Sequence, residues 1–86
     1  MRETLNEPIS VALVFAHEKG TVQPWRLKWR GRHYLVSQVG YHHSYRQGET
    51  LVHVFEVVAG DQFFRLVLDT ATLHWRLEAV ADGLPA

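Results

Sequence analysis

The sequence has 86 residues, nine bases against nine acids, no cysteine, 47% hydrophobic residues and 21% charged ones. Missing cysteines exclude a disulfide framework, Cys-ligated zinc and thiol chemistry. The longest apolar run, residues 11–16, falls far short of the ~20 residues that span a bilayer. Met1-Arg2-Glu3-Thr4 lacks the apolar stretch of a signal peptide. The expectation is one small β domain over residues 1–86, cytoplasmic and without membrane contact. A chain this short buries only ~60–65% of its unfolded surface, so its core must be efficient or shared with a partner.

Residues 1–7 carry Glu3 and Glu7 among few apolar side chains and read as a frayed end. Residues 9–15 are apolar and read as a first strand or a short helix. In residues 25–30, Trp25, Leu27 and Trp29 alternate with Arg26, Lys28 and Arg30, the period-two pattern of a half-buried strand. Pro24 has no amide to donate, so this strand should start there or lie at an edge. Arg30-Gly31 signals a turn, and residues 33–39 alternate again. Between Gly40 and Gly48, residues such as His42, His43 and Arg46 read as a polar loop. Residues 51–59 are β-branched and apolar on both faces, as in a central strand. Strands over 62–69 and 73–80 complete the set, and 82–86 read as a second frayed end.

Hairpin registers follow from matching apolar faces. A two-residue turn at Gly60-Asp61 sets Phe55 against Leu66, Val57 against Phe64 and Glu56 against Arg65. A four-residue turn at 70–73 sets Leu66 against Leu77, Leu68 against Trp75 and Arg65 against Glu78. Asp69 then opens that turn, its carboxylate accepting backbone amides. Arg65 joins a Glu56–Arg65–Glu78 ladder. The predicted architecture is an all-β antiparallel meander of five or six strands, SH3-like or another small barrel, because bare edges invite aggregation. Trp25, Trp29, Tyr34, Phe55, Phe64 and Trp75 are assigned to its core.

The charges are segregated: residues 19–48 hold six bases and no acid, while the flanking segments are net acidic. Such asymmetry points either to an anionic partner or to neutralisation between parts of the fold.

Two stretches carry a resemblance. Trp29-Arg30-Gly31-Arg32-His33-Tyr34-Leu35-Val36 fits W-R-G-R-x-Y-x-V, and residues 69–80 fit D-x-x-T-x-x-W-x-L-E-x-V. Together they resemble a small bacterial domain of unknown function. In actinobacteria it occurs near mutagenic DNA-repair genes, and elsewhere at the C-terminus of ImuB-type polymerase-like proteins. The resemblance covers residues 24–80; residues 41–52 depart from it, with His42, His43 and Tyr45 where that family tends to carry tryptophan. It implies a fold and a DNA-repair neighbourhood, and assigns no activity.

No P-loop, dinucleotide fingerprint or nucleophile motif is present. A chain of this size leaves little room for a cleft of ~300 Å³. The expectation is a non-enzymatic binding or protein-interaction module with no cofactor, no metal and no small-molecule substrate. His42 and His43 are neighbours, so on a strand they point to opposite faces and cannot share an ion; in a turn they can, with His33 or His53 joining. His53 shares a face with Phe55 and Val57 and reads as a core histidine. A protein partner or self-association is expected. Nucleic acid is the alternative, contacted by Arg26, Lys28, Arg30, Arg32, Tyr41, His42, His43, Tyr45 and Arg46.

Overall fold

A computed structural model describes residues 2–82 as seven strands, with no helix among the described residues. The strands are β1 (Arg2–Pro8), β2 (Ser10–Ala16), β3 (Thr21–Trp29), β4 (Arg32–Gln47), β5 (Thr50–Ala59), β6 (Gln62–Asp69) and β7 (His74–Asp82). All pair antiparallel in one sheet of order β1-β7-β6-β5-β4-β3-β2. The all-β class is as expected, with more strands than the sequence suggests.

β1 and β2 stand at opposite edges of this sheet, yet only Ile9 separates them along the chain. One residue reaches only ~3.5 Å, so the sheet must curl until its two edges meet. Ile9, 8% exposed, turns into the core at that corner. β4 makes the second bend. Its residues 32–35 pair with β3, whereas 36–47 pair with β5, and bulges between Val36 and Gln38 and between Val39 and Tyr41 mark the change. Bulges bend a strand in this way by inserting unpaired residues.

The core lies inside the curl, where Leu27, Trp29, Phe55, Val57, Phe64, Leu66 and Leu77 are buried. Trp29 and Tyr34 meet Phe64 edge-on, with ring centroids 6.0 and 5.1 Å away. A smaller cluster of Val52, Val54 and Val67 is buried on the outer face of β5 and β6.

The two C-terminal hairpins keep the expected registers. Phe55 lies opposite Leu66, Glu56 opposite Arg65, Leu66 opposite Leu77 and Leu68 opposite Trp75. Asp69 accepts the amides of Ala71 and Thr72 and so fixes the 70–73 turn. One detail differs. A bulge between Arg65 and Leu66 sets Ala79, not Glu78, opposite Arg65. Arg65 still donates to both Glu56 (3.2 Å) and Glu78 (3.4 Å).

Three other expectations are corrected, and one pair of alternatives is resolved. Residues 2–8 are no frayed end but strand β1, paired along β7; residues 83–86 of the second expected fray lie outside the described residues. Of the strand and the short helix offered for residues 9–15, the structure has the strand, β2. Residues 41–47 are the outer half of β4 rather than a loop, because they form a hairpin with β5 and cover its valine face. Trp25 is 45% exposed rather than core. The register of β2 on β3 skips it, passing from Ala12–Arg26 to Leu13–Pro24, so the alternation slips and Pro24 is buried instead. β3 therefore starts at Thr21, and Pro24 sits in its outer half, which pairs with β2 alone.

Candidate interaction surface

Beyond Arg26, β3 parts from β4, and the β2–β3 hairpin splays away from the rest of the sheet. The opening is a cleft of about 410 Å³ lined by Leu13 and Val22 on one side and His42, His53, Phe55, Leu68 and Trp75 on the other. This exceeds the room expected of so short a chain, because the two sheet halves diverge instead of closing. Trp75, assigned to the core, is half-buried there and packs on Phe55 at 5.8 Å.

Two imidazoles are the ionisable groups in the cleft wall. His42 lies opposite Phe55 and stacks on its ring at 4.2 Å with 2° between the planes. His53 lies opposite Ser44, one diagonal step away, which brings His42 Nε2 within 2.9 Å of His53 Nδ1. At that distance one ring donates a hydrogen bond to the other, an N–H of one facing a bare nitrogen of the other. Burial, reinforced by His53 and His43, lowers the pKa of His42 from its ordinary 6.5. Among the described residues no third His, Cys, Asp or Glu joins the pair as a metal-binding cluster.

On the opposite face of β4, Tyr41, His43 and Tyr45 form a row with centroid spacings of 5.1 and 6.4 Å. The tyrosines are exposed, and His43 is half-buried over Val54. His43 Nδ1 is buried without a hydrogen-bond partner.

The basic residues do not form one stripe. Arg26 and Lys28 are exposed on β3, but Arg30 leaves the strand at the Arg30-Gly31 turn, where both residues have positive φ (51° and 76°). That pairing of signs is a type I′ turn, which matches the twist of the flanking strands. Turned aside in this way, Arg30 donates to Glu7 through Nε (3.1 Å) and Nη2 (2.6 Å) and lies over the Trp29 ring at 4.4 Å. Trp29 Nε1 donates to the same carboxylate at 3.0 Å. The bond to Arg30, then that to Trp29, lowers the Glu7 pKa from its ordinary 4.5, and the Glu7 bond raises that of Arg30. Arg26, Lys28, Arg32 and Arg46 make no ion pair among the described residues. Arg46 is on β4, away from β3, and Arg32 begins β4 after the turn. Of the candidate set, Tyr41, His43 and Tyr45 share one face, His42 faces the cleft, and Arg26 and Lys28 lie elsewhere on β3.

The remaining feature is main-chain. From residue 36 to 47, one side of β4 pairs with β5, and the other side has no strand partner among the described residues. The Gly48-Glu49 turn holds two residues between the pair Gln47–Thr50. A two-residue turn makes its flanking pair a mutually hydrogen-bonded one, and such pairs alternate along the ladder. Tyr41, His43, Tyr45 and Gln47 therefore bond toward β5. His42, Ser44 and Arg46 direct their N–H and C=O groups outward.

Compared with known proteins, the chain matches no family, no curated protein and no solved structure.

Proposed function

We propose that the chain is a non-enzymatic protein-interaction module that receives an extended strand of another chain on the free edge of β4. The observation that carries this reading is that edge, residues 36–47, beside an apolar cleft of about 410 Å³. Added strands gain affinity from main-chain hydrogen bonds, and specificity from the pockets that receive alternate side chains. Here the outward groups of His42, Ser44 and Arg46 supply the bonds, while Phe55, Leu68 and Trp75 offer apolar surface to inward-pointing side chains. No helix among the described residues is long and apolar enough to cross a membrane, and we assign the protein to the cytoplasm as part of the same proposal.

Selection from a display library of random extended peptides tests this. Enrichment of peptides with alternating apolar residues, lost when Ser44 is replaced by proline, supports the reading. Binders that ignore Ser44→Pro, or none at all, would refute it.

A second reading rests on Arg26 and Lys28, which are exposed and free of carboxylates among the described residues. It is weak, sequence-independent contact with nucleic-acid phosphates, which would fall steeply as salt rises. With Arg30 held by Glu7, the contact has fewer cations than the sequence suggests.

A further inference from the structure

We infer that the strand received by β4 is β4 of a second copy of this chain, paired antiparallel about a two-fold axis at Ser44. This rests on the edge-pairing reading and names its partner. Three observations lead to it.

The first is hydrogen-bonding phase. The regular part of the edge is bounded by the bulge before Tyr41 and by the Gly48-Glu49 turn, leaving residues 41–47. Its outward-bonding residues are His42, Ser44 and Arg46, and Ser44 is midway between the other two. Antiparallel pairing about Ser44 sets Ser44 against Ser44 of the second copy, and His42 against Arg46. Each outward residue then meets another outward residue, and three mutually bonded pairs form with none left over. Pairing about His43 instead would bring the bulged Gly40 against Arg46 and lose one pair at each end.

The second is side-chain compatibility. Like charges directly opposite one another destabilise a ladder, and residues 36–47 carry a single formal charge, Arg46. In the Ser44-centred register Arg46 meets the His42 imidazole, not another guanidinium. On the outer face His43 meets Tyr45 and Tyr41 meets Gln47, so the aromatic row of one copy continues into the other. Tyr41 and Tyr45, 56% and 41% exposed in the single chain, gain neighbours. At the axis the small Ser44 hydroxyls lie together, where bulk would clash.

The third is the lack of protection. Edges are normally blunted by lysine, proline or a covering loop. Residues 41–47 contain neither lysine nor proline, and no strand covers them among the described residues.

The test uses the full chain. Sedimentation equilibrium across micromolar to submillimolar concentrations should give twice the 9.9 kDa chain mass. Ser44→Pro removes the donor at the axis, and dimerisation should weaken about 10–100-fold, as expected for two lost main-chain bonds. Ser44→Cys gives a chain with one thiol, because the native sequence has no cysteine. Opposed residues of a bonded pair lie ~5.5 Å apart, within disulfide reach. Mild oxidation should therefore link Ser44→Cys at least ten times faster than Gln47→Cys, whose opposite residue is Tyr41. A monomeric parent, or equal linking of both variants, would overturn the inference. If the monomer still binds selected peptides through β4, the interaction reading survives; if it binds none, both fall.

Discussion

His42 and His53 are hydrogen-bonded across the β4–β5 hairpin, with 2.9 Å between Nε2 and Nδ1, and His42 is stacked flat on Phe55. Such a contact needs at least one neutral ring.

The lowered pKa of His42 fixes the sign of a pH dependence. The folded state disfavours the charged ring, with burial as the main cause. The unfolded chain takes up the proton near its ordinary value of 6.5. The contribution is therefore complete above 6.5 and is lost as pH falls from there through the lower folded value. The urea midpoint should drop between pH 8 and pH 5, and His42→Phe, which keeps the stacking, should drop less. Equal drops would show that His42 does not carry the effect.

Glu7 gives the same sign at lower pH. Its carboxylate accepts bonds from Arg30 and Trp29, and its pKa is lowered from 4.5. That stabilisation is present above 4.5 and disappears as pH falls through the lower folded value. Glu7→Gln should melt earlier than the parent at pH 7, and the two melting temperatures should converge at pH 2. A constant gap across that range would contradict an ionic contribution.

Both contacts show how far the sequence could be read. The 51–80 region was legible nearly to the register, because the Gly60 and Asp69 turns align the apolar faces of β5, β6 and β7; the bulge between Arg65 and Leu66, which sets Ala79 opposite Arg65, leaves no mark in that alternation. The first half was less so. β1 carries Glu7 on its half-buried side, and a carboxylate there looks like a frayed end unless its partners, Trp29 and Arg30, are known. Trp25 misleads because a bulge shifts the period by one, which composition does not signal. Residues 41–47 lack apolar alternation, since one face of that half-strand is open. Their pairing was nonetheless available: reading Gly48-Glu49 as a two-residue turn sets Ser44 against His53 and so brings His42 beside it.

Core packing separates two aromatic residues that the sequence treats alike. Phe64 is 1% exposed at the centre of the curl, and Phe64→Ala should cost about 3–5 kcal/mol, a large share of the ~5–15 kcal/mol that stabilises a domain. Trp75 is half-buried at the cleft, so Trp75→Ala should cost about 2 kcal/mol. Denaturant unfolding of both variants checks the order, and a larger loss for Trp75 would place the core wrongly.

Leu73 closes the 70–73 turn with φ of 62° and is 71% exposed. The four-residue turn of the β2–β3 hairpin has Gly20 at the same place, with φ of 65°. A side chain in this conformation costs roughly 1–2 kcal/mol, while glycine returns part of that through unfolded-state entropy. Leu73→Gly should raise stability by about 0.5–1 kcal/mol, read from the urea midpoint; a loss would mean that Leu73 makes contacts outweighing its strain.

The outward main-chain groups of β4 are either open to water or paired with another strand, and amide hydrogen exchange reads them one residue at a time. Tyr41, His43 and Tyr45 bond to β5 and should be protected at every protein concentration. His42, Ser44 and Arg46 should exchange fast in dilute solution and become protected as concentration rises and the edges pair. Protection of those three that never appears, or that is already full in dilute monomer, would contradict a free edge that receives another strand.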